Sequence, residues 1–174
     1  MKNTTPILCF VGRSNSGKTT LIERLIHSLT QSRYRIAAIK HAGHGFDLDT
    51  EGKDSWRHKR AGARTVIVKS KTSLALFSDI EDSVSLTTLR DQYICNTDLI
   101  IAEGWKSENY PKIVVVRDHF GEIDVKDKGL LAVVSRAPVD VAVPILHPDD
   151  IPTLASLVRE YFPIGDIHPP ILRK

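Results

Sequence analysis

The sequence lacks the features that mark secreted, membrane-embedded and zinc-stabilised proteins. Its 174 residues include only two cysteines, Cys9 and Cys95, and these show neither a disulfide framework nor zinc-ligand spacing. We find no signal peptide and no apolar run long enough to span a membrane. The formal net charge of +3 is too small to indicate nucleic-acid binding. We therefore expect a cytoplasmic protein that binds neither a membrane nor nucleic acid.

The composition is that of a globular protein. Hydrophobic residues make up 41% of the chain and charged residues 26%, which argues against disorder. A chain of this length can bury one sizeable core, and we see no linker and no internal repeat. We therefore predict a single domain over residues 1–174, in which the proline-rich residues 163–174 form an extended tail.

One motif near the N-terminus is more informative than any other. Residues 12–19 read GRSNSGKT and match G-x-x-x-x-G-K-[ST], the phosphate-binding P-loop. The apolar run at 7–11 has the length of a strand, and the residues after 19 have helical periodicity. A P-loop requires this strand–loop–helix order, because the backbone N–H groups of the loop and the helix N-terminus then face one anion. The motif predicts binding of a nucleoside phosphate.

The motif also assigns roles to its residues. The Lys18 ammonium would contact the β- and γ-phosphates, and the Thr19 hydroxyl would ligate Mg²⁺. Arg13 is a candidate for a second cation that acts on the phosphates from within the loop. The predicted nucleotide-binding residues are Gly12, Arg13, Ser14, Asn15, Ser16, Gly17, Lys18, Thr19 and Thr20.

Alternating strand and helix patterns predict the fold class. The helix after the P-loop has an apolar stripe that would pack on a sheet. Predicted strands cover residues 7–11, 35–40, 65–69, 73–77, 99–102, 113–116, 131–134 and 141–143, and the third and fourth form a hairpin. Further helices are predicted at 55–61, capped by Asp54 or Ser55, at 86–93 and at 151–161. The pattern predicts an α/β protein with a P-loop NTPase-like three-layer fold. Its sheet would be mostly parallel with some antiparallel strands, and helices would cover both faces.

An acid that serves the metal forms the second half of such a site. Residues 99–102 have a wholly apolar strand pattern, and Glu103 follows them directly. A carboxylate that leaves a buried strand in this fold points to the phosphate side of the sheet, so we assign Glu103 as a catalytic residue and a Mg²⁺ ligand. Residues 118–121 (DHFG) match the D-x-x-G switch motif and are a rival assignment, although that short pattern is also ordinary turn chemistry.

The loop after the second strand is rich in titratable residues. Asp54 would accept a hydrogen bond from water bound to Mg²⁺, which makes it a second candidate catalytic residue. Lys53, Arg57 and Arg60 belong to a basic cluster and are candidate contacts for a second anion or an acidic partner; Lys53 would also reach a phosphate. His41 and His44, three residues apart, are candidate ligands for a transition metal.

Several short segments besides the P-loop carry a family resemblance. They are residues 39–41 (IKH) followed by His44, Asp47 and Asp49, then 52–55 (GKDS), 61–63 (AGA), 103–104 (EG), 111–113 (PKI) and Arg117. Together with the P-loop, they resemble the molybdopterin-guanine dinucleotide biosynthesis protein B (MobB) family over about residues 7 to 117. The blocks at 40–41 and 52–63 are much more specific than the P-loop, which many proteins share.

The resemblance implies a GTP-binding homodimer with weak intrinsic GTPase activity. It implies an adapter that assists a MobA-type guanylyltransferase in converting molybdopterin to molybdopterin guanine dinucleotide, with molybdopterin as a further candidate ligand. Under it, residues 12–19 bind phosphates and Mg²⁺, and Glu103 is the metal-side acid. The choice of GTP rests on the resemblance, because the chain has no N-K-x-D guanine reader. Residues 135–138 (SRAP) follow a strand where a base-recognition loop would fall.

Two other functions stay open from the residues themselves. A small-molecule kinase would use the basic cluster, with Arg57, Arg60 and Arg64 closing over the phosphates. A metal-delivery GTPase would use His41 and His44 as nickel ligands. We favour the adapter, at most a slow Mg²⁺-dependent GTPase, because no attacking-water glutamine or arginine finger stands out in the sequence. P-loop proteins without these groups turn over at about 10⁻⁴ to 10⁻² per second.

Overall fold

A computed structural model describes residues 4–43, 45–46, 49–81, 83–117 and 129–164 of the chain. The helices are α1 (Lys18–Gln31), α2 (Asp54–Arg60), α3 (Leu86–Tyr93) and α4 (Ile151–Tyr161). The strands are β1 (Ile7–Val11), β2 (Ile36–Lys40), β3 (Thr65–Lys69), β4 (Leu74–Ser78), β5 (Leu99–Glu103), β6 (Lys112–Val115), β7 (Leu130–Val134) and β8 (Ile145–Leu146). Within these described ranges, no helix has both the length and the apolarity needed to cross a membrane.

The chain divides into two compact units. The first contains residues up to His41 and from Arg90 onward, and the second contains Ala42–Leu89. Among the described residues, each unit has a sheet of its own, six-stranded in the first and two-stranded in the second. The single domain predicted from the sequence stays a prediction, and residues 165–174 of the predicted tail lie outside the described residues.

The first unit is built on a parallel sheet in the order β2-β5-β1-β6-β7-β8. Each neighbouring pair of strands is parallel. β1 is buried along its whole length, and the first four residues of β5 are buried too, as expected for apolar strands covered on both faces. Because the strands are parallel, the carboxyl ends of β1, β2, β5 and β6 meet at one edge of the sheet, where the P-loop begins.

Helices α1 and α4 pack together and bury their apolar stripes in the first unit's core. Leu25 and Leu29 of α1 and Val158 of α4 have no exposed surface, which confirms the helical spacing read from the sequence. At the amino ends of the strands, Arg35 and Asp98 form a two-pronged ion pair, with Nη2–Oδ1 at 2.8 Å and Nε–Oδ2 at 3.1 Å. This pair links the start of β2 to the start of β5 on the side of the sheet away from the P-loop.

The second unit contains α2 and a β3–β4 hairpin. The strands pair antiparallel with Ile67 opposite Leu76 and Lys69 opposite Leu74, so the predicted hairpin is confirmed. Ile67, Leu74 and Leu76 share one face of the hairpin and are 59%, 65% and 40% exposed. On the other face, Val66 is buried. The hairpin therefore presents an apolar face to solvent.

Two local predictions are wrong. Residues 141–143 form no strand, and the short strand β8 begins at Ile145 instead. Pro144 lacks an N–H and cannot donate to a ladder, but its carbonyl accepts from Val133 N at 2.9 Å and starts the pairing with β7. The cap of α2 is Lys53 rather than Asp54 or Ser55. Asp54 is instead the first helical residue, where an acid is favourable to the helix dipole.

The fold class is confirmed. The described chain has a mostly parallel sheet with helices and a small antiparallel sheet, in the order expected for a P-loop NTPase-like α/β protein. Its P-loop lies between β1 and α1, and Glu103 ends the strand next to β1. This arrangement brings the two halves of the predicted site to the same sheet edge.

Candidate functional site

The P-loop closes around the ammonium of its own lysine. Lys18 is 9% exposed, and its Nζ donates to Arg13 O at 2.6 Å, to Gly12 O at 3.2 Å and to Ser16 Oγ at 3.4 Å. Gly12 permits this fold because a side chain there would collide with the carbonyl oxygen of Val115 on β6. The loop therefore holds a buried positive charge at the start of α1, where helix N–H groups favour an anion.

The surroundings of Lys18 lower the pKa of its ammonium. Burial is the main cause, because it removes water from the charged form. The Glu103 carboxylate acts in the opposite direction, and the ammonium groups of Lys106 and Lys40 add to the lowering. An anionic ligand would relieve this penalty, since its charge favours the protonated lysine.

Thr19 and Glu103 meet across the gap between α1 and β5. Thr19 Oγ1 donates to Glu103 Oε1 at 3.1 Å and lies 3.4 Å from Oε2. Parallel pairing sets this geometry, because Glu103 stands in register with Phe10 on β1 and Lys40 on β2. Lys40 Nζ lies 3.9 Å from Glu103 Oε2. The predicted metal-side acid and the predicted metal-ligating hydroxyl are thus in direct contact.

The turn after Glu103 is tight. Gly104 has a φ of 95°, a conformation that glycine adopts without strain, and an added Cβ would lie 3.3 Å from Cβ of His41. The next residue, Trp105, packs edge-on against the His41 ring with centroids 5.1 Å apart. The buried Trp105 Nε1 has no hydrogen-bond partner within the described part of the chain. Gly104 thus permits the close approach of the β2 and β5 ends beside the P-loop.

Lys112 holds the loop between β5 and β6 in place. It is 3% exposed, and its Nζ donates to Lys106 O at 3.2 Å and to Glu108 O at 3.1 Å. A buried ammonium is stable only with such partners. The lysine therefore acts from the start of β6 to fix the backbone of the loop that carries Trp105 and Lys106.

These residues surround a cavity of about 680 Å³. We call it the phosphate cavity. Its charged side chains are four cations and one carboxylate, a balance that suits a polyphosphate. The lining residues are Gly12, Ser14, Asn15, Gly17, Lys18, Thr19, Thr20, Lys40, His41, Glu103, Gly104, Lys106 and Arg117.

A second, smaller cavity adjoins the first. Its volume is about 290 Å³, and it shares Asn15, Gly17, Thr20 and Arg117 with the phosphate cavity. The remaining charged side chains on its wall are Arg24, Arg136 and Asp149. We call it the guanidinium pocket. Arg136 belongs to residues 135–138, so the predicted base-recognition segment contributes to this pocket, whereas its Ser135 is buried and accepts a hydrogen bond from Ala137 N at 3.1 Å.

The other predicted site residues of the loop after β2 belong to the second unit. The Asp54 side chain is 90% exposed and lies 3.8 Å from Arg57 Nη1. Lys53 is exposed at the start of α2. Arg60 lies over the Trp56 ring at 5.4 Å, a cation–π contact. Their predicted roles toward a nucleotide, a second anion or a partner stay predictions.

Of the two histidines predicted as transition-metal ligands, only His41 lies within the described residues. His41 lines the phosphate cavity, but His44 lies outside the described residues, as do residues 118–121 of the D-x-x-G motif. Across the described positions, no group of three or more histidine, cysteine, aspartate or glutamate side chains is arranged to hold a metal ion.

The residues of the P-loop motif differ in the cavity that they line. Most of the predicted nucleotide-binding residues line the phosphate cavity, while Ser16 lines the guanidinium pocket. The Arg13 side chain is exposed, and its carbonyl oxygen accepts a hydrogen bond from Lys18 Nζ. Its predicted role toward the phosphates stays a prediction.

Sequence reasoning assigned no role to three cations of the phosphate cavity, Lys40, Lys106 and Arg117. Each stands at or just after the carboxyl end of a strand next to the P-loop edge, namely β2, β5 and β6. Arg117 Nη1 also lies 3.4 Å from Asn15 O in the P-loop. The signal that would have found them is position: a cation following any strand whose carboxyl end reaches the P-loop faces the ligand.

Comparison with known proteins places this geometry in a family. The profile of molybdopterin guanine dinucleotide synthesis protein B matches residues 7–136. The chain is 37% identical over 163 residues to a molybdopterin-guanine dinucleotide biosynthesis adapter protein of Haemophilus influenzae, with 92% of each chain covered. It is likewise 37% identical to the protein of the same name from Escherichia coli, covering 92% of this chain and 95% of that one.

A solved structure agrees with the sequence relatives. The crystal structure of Bacillus subtilis MobB superposes with a TM-score of 0.74 at 32% identity, covering 92% of this chain and 99% of that one. The family match at residues 7–136 includes the P-loop and the acid at the end of β5. This chain therefore belongs to the molybdopterin guanine dinucleotide synthesis protein B family.

Proposed function

We propose that this chain is an adapter of molybdopterin guanine dinucleotide biosynthesis that holds Mg²⁺–GTP in the phosphate cavity. The observation that carries the proposal is the P-loop cavity, with its buried Lys18 and the Thr19–Glu103 contact, in a chain whose relatives bear the adapter name. Family membership indicates the biosynthetic process, and the cavity indicates that the chain would take part in it by binding a nucleoside triphosphate.

The phosphate cavity fits a triphosphate better than a neutral ligand. Lys18 presents a buried ammonium, and Lys40, Lys106 and Arg117 present further positive charge from three strand ends. The start of α1 adds backbone N–H groups and about half a positive charge. A polyanion would offset the mutual repulsion of these cations. Repulsion from two of them, Lys106 and Lys40, also helps to lower the Lys18 pKa.

The residues beside the cavity also fit Mg²⁺. The ion prefers oxygen ligands in octahedral geometry at about 2.0–2.1 Å, so adjacent ligands of such an octahedron are about 2.9 Å apart. Thr19 Oγ1 and Glu103 Oε1 are 3.1 Å apart. These two oxygens would hold the ion or its water, and the bound ion would neutralise charge on the phosphates.

Hydrolysis by the chain alone would be slow. Within the described residues of the phosphate cavity, no glutamine is present to orient an attacking water. The cationic side chains hold the triphosphate rather than activate a nucleophile, which suits a protein that stores GTP for another enzyme. We therefore propose at most weak GTPase activity, in the range of about 10⁻⁴ to 10⁻² per second.

The proposed protein partners are a MobA-type guanylyltransferase and a second copy of this chain. Support for self-association comes from the apolar hairpin face of Ile67, Leu74 and Leu76. Exposed apolar clusters of this kind mark association surfaces, and a two-fold dimer would bury the same face on both copies.

Molybdopterin, an anionic pterin, is a further proposed ligand, with the basic residues of α2 as its candidate contacts. Within the described residues, neither Cys9 nor Cys95 is in a disulfide, which agrees with the proposed cytoplasmic location.

Calorimetry with GTP, GDP and ATP, each with and without Mg²⁺, tests the ligand. We expect GTP to bind more tightly than ATP, and Mg²⁺ to strengthen triphosphate binding. Formation of molybdopterin guanine dinucleotide by the guanylyltransferase, with and without this chain, tests the adapter role. Equal product formation in both reactions would contradict the adapter role. Turnover of GTP above about 1 per second by the chain alone would instead indicate an enzyme in its own right.

A further inference from the structure

We propose that Asp149 reads the base of the bound nucleotide by accepting two hydrogen bonds from guanine in the guanidinium pocket. The inference rests on the proposed binding of a guanine nucleotide and names the residue that would choose the base. It concerns a side chain outside the P-loop, in the loop between β8 and α4.

The position of the pocket fits a nucleoside. It adjoins the phosphate cavity and shares with it the P-loop residues Asn15 and Gly17 and the α1 residue Thr20. A nucleotide whose phosphates occupy the larger cavity would extend its sugar and base across this shared wall. Its volume of about 290 Å³ is much smaller than that of the phosphate cavity, and Leu21, Val115 and Val116 add apolar surface on which a flat ring can pack.

Two arginines hold the Asp149 carboxylate in a fixed direction. Arg24 Nη1 lies 3.0 Å from Oδ1, and Arg136 Nη2 lies 3.1 Å from Oδ2. His147 Nδ1 is 3.6 Å from Oδ2. These groups come from α1, from the loop after β7 and from the end of β8. The Arg24 hydrogen bond is the main cause that keeps the pKa of Asp149 below its usual value, so the carboxylate is ionised throughout the neutral range.

An ionised carboxylate in this arrangement still has acceptor capacity. Each oxygen has two lone-pair directions, and each accepts from one guanidinium. His147 Nδ1 accepts a hydrogen bond from Asp149 N at 3.3 Å and so does not donate to Oδ2. The other direction on each oxygen is therefore available. Guanine offers two parallel donors on one edge, the N1–H and the 2-amino group. Adenine presents an unprotonated N1 at the same place, whose lone pair would face the carboxylate, and has no 2-amino group. A site built on two such bonds rejects the base that lacks the donors.

The pocket also contains a hydrogen-bond donor for O6, the third polar group on this edge of guanine. Guanine O6 accepts a hydrogen bond, and Arg136 is a cationic donor next to Asp149. Its Nη1 lies 3.4 Å from His147 Nε2, a long contact. This pairing also explains why the chain lacks an N-K-x-D sequence. The loop after β7 supplies the cation, Arg136, and the following loop supplies the acid, Asp149.

The substitution Asp149→Asn tests the proposal because it predicts a gain of affinity for a different nucleotide. A variant that is merely misfolded or distorted would not show such a gain. Asparagine keeps an oxygen for the N1–H but replaces the second acceptor by an NH₂ donor. That donor would repel the guanine amine and pair with the C2 carbonyl of xanthine. With Mg²⁺ present, we expect the variant to lose about tenfold or more in GTP affinity and to gain affinity for XTP. Binding of inorganic tripolyphosphate should not change.

Asp150→Asn is the matched control, because it removes the same charge one residue away. Asp150 caps α4 by accepting from Thr153 N at 3.1 Å, and asparagine caps helices equally well. The control should keep the wild-type order of GTP, ATP and XTP. Thermal melts of both variants check that the fold is intact.

The outcomes separate this inference from the proposed function. If the wild-type protein prefers GTP to ATP and Asp149→Asn retains that preference without gaining XTP affinity, Asp149 is not the base reader, while the GTP-binding adapter stands. If the wild-type protein binds GTP and ATP equally, the proposed GTP preference fails first. A fall in tripolyphosphate affinity in Asp149→Asn would show that the residue supports the P-loop rather than the base.

Discussion

The two adjoining cavities of the first unit differ in how they are built. The phosphate cavity depends on backbone groups and on Lys18, which is buried inside the loop it closes. The guanidinium pocket depends on Arg24, Arg136 and Asp149, whose side chains are 44%, 61% and 54% exposed. A polyphosphate is recognised by charge and by a fixed backbone, whereas a base edge is recognised by individual side chains. We therefore expect substitutions in the phosphate cavity to weaken the binding of all polyphosphates, and substitutions in the guanidinium pocket to change the preference for the base.

Lys18→Ala should have the largest effect. The variant removes the buried ammonium from the centre of the P-loop, so we expect at least a tenfold loss of affinity for both GTP and tripolyphosphate, about 1.4 kcal/mol or more. Calorimetry with both ligands measures it. Lys106→Ala is the matched control, since it removes an exposed cation from the same cavity and should lose less. Equal losses in the two variants would mean that net charge, rather than the buried lysine, holds the phosphates.

Glu103→Gln should remove most of the Mg²⁺ dependence of GTP binding. The amide keeps the shape and a hydrogen-bond acceptor for Thr19 Oγ1 but loses the negative charge that a hard divalent cation prefers. We expect the ratio of GTP affinities with and without Mg²⁺ to fall by about tenfold. Glu108→Gln is the control, because Glu108 contributes its backbone carbonyl to Lys112. An unchanged ratio in Glu103→Gln would exclude Glu103 as a metal-side acid.

The pH dependence of tripolyphosphate binding should report Lys18. Its pKa in the free protein lies below the usual 10.5, and a bound anion raises it. Below the free-protein pKa the lysine is charged in both states and has no effect on the pH profile. As pH rises above that value, binding must take up a proton, so the affinity falls, and the fall begins before pH 10.5. The free energy of unfolding of the unliganded protein changes in the opposite sense. It rises with pH between the lowered Lys18 pKa and the usual value of 10.5, because the unfolded chain binds more protons than the folded chain in that range.

Lys18→Arg provides the comparison for this profile. An arginine stays protonated across the whole range, so any remaining decline in affinity comes from other groups. Calorimetry between pH 7 and pH 10, in buffers of different ionisation enthalpy, measures the proton uptake directly. Identical profiles for Lys18→Arg and the wild-type protein would mean that the buried lysine is not the titrating group.

The same contrast explains which features the sequence predicted. Hydrophobic periodicity located β1, α1, β5 and α4, because a buried strand or helix leaves a regular apolar pattern. Glu103 was found because a buried strand ends at it. The false strand at 141–143 arose because three residues with two valines carry too little pattern to outweigh the flanking Pro138 and Pro144.

The guanidinium pocket could not be predicted in the same way. Arg24 lies more than a hundred positions before Arg136 and Asp149 along the chain, and it meets them only because the fold brings α1 beside the ends of β7 and β8. Residues 135–138 were placed correctly after a strand, but their own sequence lacks the acid. An ion pair between exposed side chains leaves no periodic signal, so its partners are visible only in the fold.

Arg24→Ala should have the smallest effect on stability and a selective effect on recognition. The Arg24–Asp149 pair is exposed, and such pairs contribute little to folding because water and salt screen them. The side chain also donates to Pro148 O at 3.3 Å, so its loss frees the loop that carries Asp149. We expect the ratio of GTP to ATP affinity to fall a few-fold with tripolyphosphate affinity almost unchanged, and Arg24→Lys to restore the ratio only in part because it lacks the planar fork. A lower melting temperature with an unchanged ratio would mean that Arg24 serves only to join α1 to the start of α4.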